Sequence, residues 1–427
     1  MEPQLYSAYV QILQEELLPA MGCTEPIAVA YAGAISRRTL GALPDRVRVE
    51  VSRNIIKNVK SVIVPHTGGM RGLEAACAIG IVAGRADREL EVLSEVTEDQ
   101  IAETRQFLEN TPITVDFAPL DRIFDICITV WRGADSAYVR IVDSHTNVVC
   151  VRRGEDVLLS RETAGRTPGG TADKSLLTIE KIFEFANEVK IEDVRPVLDR
   201  QIAYNMTIAE AGLRGSYGAN IGKVLLKTYG DADVKIRAKA LAAAGSDARM
   251  NGCELPVVIN SGSGNQGITA SVPVIVYARH LGASDEQLYR ALTVSNLSTL
   301  HIKEGIGRLS AYCGAVGAGC GAGAGIAYLL GGDYTTLAHT IVNSLAILSG
   351  TICDGAKASC AAKIASAVDA GILGYYMYKN GQEFLGGDGI VKRGVENTIH
   401  AVGLLASEGM QETDREIVKL MIQNIQP

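Results

Sequence analysis

The sequence predicts an α+β protein, with an N-terminal mixed α/β domain carrying a β-meander at residues 1–190 and a mostly α-helical domain at residues 191–427. Three observations predict it. Arg46-Val-Arg-Val-Glu-Val51 alternates charged residues and valine at the period of a strand. Further β-rich runs, separated by turn residues, fill residues 113–159. Beyond about residue 175 the apolar spacing is helical almost to the end of the chain. At 427 residues there is room for two domains, since single cores seldom grow past about 250–300 residues.

Residues 5–18 place Tyr9, Val10, Ile12, Leu13, Leu17 and Leu18 at helical spacing. After Pro19, the turn Met21-Gly-Cys-Thr-Glu-Pro26 opens a second, Ala-rich helix from Ile27 to about Arg38. Thr24 is the expected N-cap, with Pro26 in the first turn. Cys23 then sits before a helix N-terminus, where the dipole favours a thiolate. The plain alternative is a small apolar residue filling a turn. A second apolar β-type run, Val59–Val64, ends at Pro65, with Lys57-Asn58 between it and the first strand. Helices are expected at about 73–82 and 98–110. The meander comprises Ile113–Phe117, Ile123–Trp131, Ala137–Asp143 and Val148–Arg152. Its link Ser144-His-Thr-Asn147 reads as a hairpin turn, yet a loop on a rigid sheet also offers His145 as general base or carboxylate ligand. A polar linker, Glu162–Lys174, leads to helices expected at 175–190, 192–212, 233–249, 266–281, 285–300, 311–330, 333–350, 355–379, 391–407 and 411–424.

Composition removes several function classes. A net charge of -7 without a basic stripe argues against a nucleic-acid partner. Nine cysteines, an odd number in a long chain with no secretory leader pattern, do not fit a disulfide scaffold. They point to a cytoplasmic, reducing compartment, where cysteines serve as core residues, metal ligands or catalysts. Residues 309–332 are 24 uncharged residues, but 14 are Gly or Ala, and no flanking charge asymmetry or aromatic belt accompanies them. A buried helix with close backbone packing is expected there, and no membrane partner. The 45 glycines and only 5% aromatic residues fit that picture.

Two motifs carry chemistry. Gly262-Ser-Gly-Asn-Gln-Gly267 has the spacing of a dinucleotide-binding turn, but repeated βαβ units are missing around it. A Gly-rich turn at a helix N-terminus, binding a carboxylate through N–H groups and the side chains of Ser263, Asn265 and Gln266, accounts for more of its residues. Cys313 and Cys320, and Cys353 and Cys360, form two pairs with equal spacing. Two such pairs admit a zinc site, an iron–sulfur cluster or plain core packing, and zinc pairs are usually closer. Cys77, Cys127, Cys150 and Cys253 read as core residues.

Gly22-Cys-Thr-Glu-Pro26, Lys57-Asn58, His145-Thr-Asn147, Ser246-Asp-Ala-Arg-Met250, Asn260-Ser-Gly-Ser-Gly-Asn-Gln-Gly-Ile-Thr269 and Cys353-Asp-Gly-Ala356 together resemble the L-cysteine desulfidase family, over about residues 5–425. The C-terminal half is also similar to the iron–sulfur L-serine dehydratases. The resemblance implies a [4Fe-4S] enzyme that converts L-cysteine and water to pyruvate, ammonia and sulfide without pyridoxal phosphate. It assigns the cluster to Cys313, Cys353 and Cys360, with one iron left open as a Lewis acid, and leaves Cys320 to the core. For the Cα proton, Cys23 is the first expected base and His145 the second. The substrate carboxylate is expected on Ser263, Asn265 and Gln266, with Asn58, Thr146 and Asn147 as further contacts and Glu25 against the ammonium. Dehydration of L-serine or L-threonine at the same cluster, or a non-catalytic iron–sulfur redox sensor, are the competing functions. The expected partner is a small amino acid, and a homo-oligomer is compatible with the pattern.

Overall fold

Helix α1 (Pro3–Glu16) and a three-residue strand, β1 (Pro19–Met21), open the chain in the computed structural model, which describes residues 1–118, 122–161, 172–307 and 310–423. Next come α2 (Thr24–Leu40), β2 (Arg46–Val51), α3 (Arg53–Val59), α4 (Gly72–Ala83) and α5 (Glu98–Asn110). Strands β3 (Ile113–Phe117), β4 (Asp125–Arg132), β5 (Asp135–Val142), β6 (Val148–Arg153) and β7 (Asp156–Ser160) follow. The remainder is helical: α6 (Ile179–Glu188), α7 (Ile191–Arg214), α8 (Ile221–Tyr229) and α9 (Val234–Met250), then the short strand β8 (Pro256–Val258). The series ends with α10 (Gly264–Leu281), α11 (Asp285–Ile306), α12 (Gly314–Leu329), α13 (Tyr334–Leu348), α14 (Cys360–Lys379), α15 (Val395–Leu404) and α16 (Gln411–Gln423). The fold is α+β, as the sequence predicts.

The alternation in β2 works as expected: Val47, Val49 and Val51 are fully buried, while Arg46 and Arg48 are exposed. These valines join Ile27 and Val29 of α2 and Ile79 of α4 in one core beneath the sheet. The six-strand order is β3-β2-β4-β5-β6-β7. Here the structure differs from the sequence expectation, because β3 pairs with β2 in parallel and the antiparallel meander begins only at β4. A parallel pair needs a long crossover, and α3, α4 and α5 supply it. The Val59–Val64 run is not a strand either. Ile55 and Val59 fall one helical turn apart on the buried face of α3, so the 3.6-residue period prevails. Helix α8 was not expected, since Gly, Ser, Asn and Asp residues on either side of it read as loop. Residues 162–171 of the expected linker lie outside the described residues.

A second, larger core unites Tyr9, Ile12, Leu13 and Leu17 of the N-terminal segment with helices α6, α7 and α9–α15. Strand β1 is tied there by antiparallel pairing with β8, Ala20 opposite Val257. Within this core α12 touches α10, α11, α13 and α14. A Cβ added at Gly319 would stand 2.3 Å from the Ala367 carbonyl oxygen, and one at Gly371 only 2.2 Å from that of Gly319. Backbone therefore meets backbone, and the Gly/Ala composition serves that contact. Among the described residues no helix is long and apolar enough to cross a membrane.

Two helix starts move relative to expectation. Helix α12 begins at Gly314 and α14 at Cys360, so neither cysteine pair shares a helix face: Cys313 is an N-cap and Cys353 lies in a loop. Replacing Gly371 by Val forces α12 and α14 apart and is expected to cost about 1–3 kcal/mol. Urea unfolding should show a lower midpoint at unchanged slope; an unchanged midpoint would mean that the close contact contributes nothing.

Candidate active site

Four helix N-termini meet at one pocket. The N-cap residues are Cys23 for α2, Ser263 for α10, Cys313 for α12 and Ser359 for α14, and none of the four makes a side-chain capping bond. No side chain caps the positive ends of the four dipoles, although at α14 the Cys360 and Ala361 N–H groups already donate to the Lys357 and Ala358 carbonyls. The pocket between them encloses about 930 Å³, including its open mouth, and residues from all four helix starts line it.

Local structure brings these ends together. The β1–β8 pair sets the Gly22-Cys23 turn beside the Asn260–Gly264 turn, and the Thr24 hydroxyl donates to the Gly262 carbonyl (3.1 Å). The N-cap of α2 is therefore Cys23 and not Thr24, whose hydroxyl is committed to Gly262 and to Glu25. Cys313 and Cys353 are held on adjacent antiparallel segments. The Cys313 N–H donates to Thr351 (3.0 Å), the Cys353 N–H donates to Ala311 (2.6 Å), and Tyr312 bridges Ile352. Gly355, at φ +93°, lets the loop press on α3, where a Cβ would stand 2.1 Å from the Lys57 carbonyl oxygen. Cys360 follows as the first residue of α14, its thiol 3.6 Å from the Gly355 carbonyl.

Burial opposes the helix dipoles at these thiols. It pushes the Cys23 thiol up to about 12, against the pull of Arg249. Cys313 is likewise raised to about 12 by burial, with Cys353 adding to the rise. Cys360 moves in the same direction, opposed by a backbone hydrogen bond from Lys357. Desolvation thus works against the thiolate expected at Cys23, in opposition to the helix N-terminus.

Three buried cations face the same space. Lys57 is 1% exposed and pairs with Asp414 of α16, while also donating to the Ser310 carbonyl (3.4 Å). The Lys303 ammonium has no hydrogen-bond or ion-pair partner among the described residues, and burial lowers it to about 8 against the pull of Cys353 and Cys313. Arg249 is 3% exposed; its Nε lacks a partner, and its Nη1 donates to the Met250 sulfur at 4.0 Å. The one pocket-lining carboxylate, Glu25, accepts from Asn58 Nδ2 (3.3 Å) and the Thr24 hydroxyl (3.1 Å). Asn265 Oδ1 and Gln266 Oε1 are buried acceptors with no donor. His145 stands edge-on to Phe124, ring centres 5.0 Å apart.

Ten of the residues singled out by sequence line this pocket: Cys23, Glu25, Asn58, His145, Ser263, Asn265, Gln266, Cys313, Cys353 and Cys360. Thr146 and Asn147 do not; Asn147 Nδ2 instead donates to the Val142 carbonyl (3.0 Å) and holds the hairpin turn. Cys320 is buried two turns into α12, away from the pocket. Sequence reasoning missed Arg249, Lys303 and the pairing of Lys57. A signal existed for Lys303, a lysine beside Ile302 and one turn before Ile306 on an otherwise apolar face.

Among the described residues no three His, Cys, Asp or Glu side chains converge as ligands of a single ion would. An iron–sulfur cluster makes a different demand, since its thiolates bind separate irons. Three thiols, one buried and two half-buried, beside a stranded ammonium suit such a group, because thiolate ligation supplies the counter-charge that Lys303 lacks.

Fold and pocket together define an α+β protein with a thiol-lined, cation-rich site at converging helix ends. The family model described as serine dehydratase alpha chain matches residues 87–419. A UPF0597 protein of Desulfitobacterium hafniense is 58% identical over 99% of this chain and 98% of its own. Others from Lachnoclostridium phytofermentans (52%, covering 98% of this chain and 100% of theirs) and Actinobacillus pleuropneumoniae serotype 3 (37%, 98% of each) are similar along their whole length. The chain belongs to the serine dehydratase alpha-chain family, whose members are lyase-type enzymes associated with iron–sulfur clusters.

The Lys57–Asp414 pair yields a test of the site's frame. Asp414→Asn strands a buried ammonium and is expected to cost up to about 3–5 kcal/mol, whereas Lys57→Met/Asp414→Leu should recover most of that loss. Chemical denaturation of the three proteins decides it; equal stability of the single variant and the parent would remove Asp414 from the frame.

Proposed function

We propose that this pocket carries out α,β-elimination of L-cysteine to pyruvate, ammonia and sulfide, with a [4Fe-4S] cluster held by Cys313, Cys353 and Cys360. The observation that carries the reading is that these three thiols line the same pocket as the Asn260–Gln266 turn, Glu25 and His145. When bound, the cluster supplies a Lewis-acidic iron that stabilises the departing sulfur.

The chain's own residues supply the rest. The open N-terminus of α10 receives the substrate carboxylate. Glu25, together with the unfilled acceptors Asn265 Oδ1 and Gln266 Oε1, receives the ammonium. His145 takes the Cα proton, because burial keeps Cys23 as the neutral thiol and an imidazole is the side-chain type that titrates near neutral pH. The electrons of the Cα–H bond form the Cα=Cβ bond as the Cβ–S bond breaks and sulfide leaves, giving 2-aminoacrylate. This takes a proton at Cβ to become the imine and is hydrolysed by water to pyruvate and ammonia. Cys23, still carrying its proton, is placed as donor on the product side.

Dehydration of L-serine is the second reading, and the family description favours it. Sulfide release from L-cysteine measured beside pyruvate release from L-serine separates the two; a preference for serine would overturn the desulfidase assignment.

Cys313→Ser, Cys353→Ser and Cys360→Ser should each lose iron and acid-labile sulfide after anaerobic purification, whereas Cys320→Ala keeps them. Lys303→Met should also weaken cluster retention, since it removes the buried counter-charge. Full iron content in any of the three serine variants would contradict the ligand set. His145→Ala should lower kcat by about 10²–10⁴-fold with iron intact, more than Cys23→Ala does; the reverse order would return the base to Cys23.

A further inference from the structure

We propose that Arg249 is the anchor for the substrate's free carboxylate and thereby restricts the site to free amino acids; this rests on the elimination reading above. Helix α9 ends at Met250, and the guanidinium of Arg249 lies against the first residue of α10. A Cβ added at Gly264 would stand 2.3 Å from Arg249 Nε and 2.8 Å from its Cζ. A buried cation is therefore stacked on the positive end of an 18-residue helix whose N-cap makes no side-chain bond. Two like charges held this close, both desolvated, repel unless an anion lies against them both.

No protein group fills that place among the described residues. Arg249 Nε has no acceptor, and the guanidinium's hydrogen bond among the described residues runs from Nη1 to the weakly accepting Met250 sulfur at 4.0 Å. Glu25, the carboxylate of the pocket, is engaged with Asn58 and Thr24. Lys303 is the cation whose charge acts with Cys313 and Cys353, whereas the charge of Arg249 acts on Cys23. A planar guanidinium beside backbone N–H groups matches the two oxygens of a carboxylate. The same contact discriminates. Cysteamine has no carboxylate, and in cysteinyl-glycine the cysteine carboxyl is an amide, so both leave the guanidinium without its counter-charge.

The experiment uses the full chain, purified anaerobically with its iron content and spectrum recorded. KM for L-cysteine, and the inhibition constants of pyruvate and cysteamine, are measured for the parent, Arg249→Gln and Gly264→Ala. Losing charge-assisted hydrogen bonds should raise KM and the pyruvate constant by about 10–100-fold, with iron content unchanged and the cysteamine constant nearly so. Gly264→Ala, whose methyl displaces the guanidinium, should show the same selective loss and serves alone if Arg249→Gln fails to fold. Unchanged constants, or an equal loss for cysteamine, would overturn the assignment. Should L-serine prove the better substrate, its KM replaces that of L-cysteine and the carboxylate question is unaffected. Were neither amino acid turned over, calorimetric titration with pyruvate against cysteamine gives the answer directly.

Discussion

Everything at this site depends on four helix N-termini directed at one volume without side-chain caps. Each end carries a partial positive charge, even at α14, where the first N–H groups donate to carbonyls of the preceding turn. Lys303 and Arg249 add full charges to the same space, against a single carboxylate, Glu25. Such a concentration of positive potential is unfavourable in an isolated protein interior and favourable around anions. Thiolate ligands and a carboxylate-bearing substrate are two anions of the appropriate kind, and they would occupy different sides of the pocket.

The rest of the fold maintains that convergence. The β1–β8 pair stitches the start of α2 to the start of α10. The bridge at Tyr312 and Ile352 sets Cys313 beside Cys353, and Gly355 allows their loop to rest on α3. Lys57 and Asp414 attach α16 to the same frame. The Gly/Ala faces of α12 and α14 bring these helices close enough for Cys313 and Cys360 to share one pocket. Burial has a chemical consequence: in the protein alone it pushes the thiols of Cys23, Cys313 and Cys360 up, against the pull of their helix ends.

Much of this was legible in the sequence because local pattern and tertiary role agree. The Val47, Val49 and Val51 alternation, the Ala-rich second helix and the turn around Ser263 each form what their spacing implies. What escaped was non-local. The parallel pairing of β2 with β3 depends on a crossover that no short pattern encodes. The Val59–Val64 run has strand composition, but Ile55 and Val59 are recruited by the core at helical spacing. Equal spacing of the cysteine pairs suggested shared helix faces, whereas helix starts at Gly314 and Cys360 separate Cys313 from Cys320 and join it to Cys353 and Cys360. Arg249, though part of a motif string, and Lys303 were passed over because only tertiary packing reveals that a cation lacks its partner. Thr146 and Asn147 belong to a motif string, yet one serves a turn and neither reaches the pocket.

The central claim is that a cluster on Cys313, Cys353 and Cys360 and the amino acid share one pocket. It is tested most directly by titrating L-cysteine into the anaerobically purified protein while recording its visible absorption spectrum. A coloured protein whose spectrum changes saturably, with about one L-cysteine per chain, is the predicted result. A colourless protein that still releases sulfide, or a spectrum indifferent to L-cysteine, would contradict it.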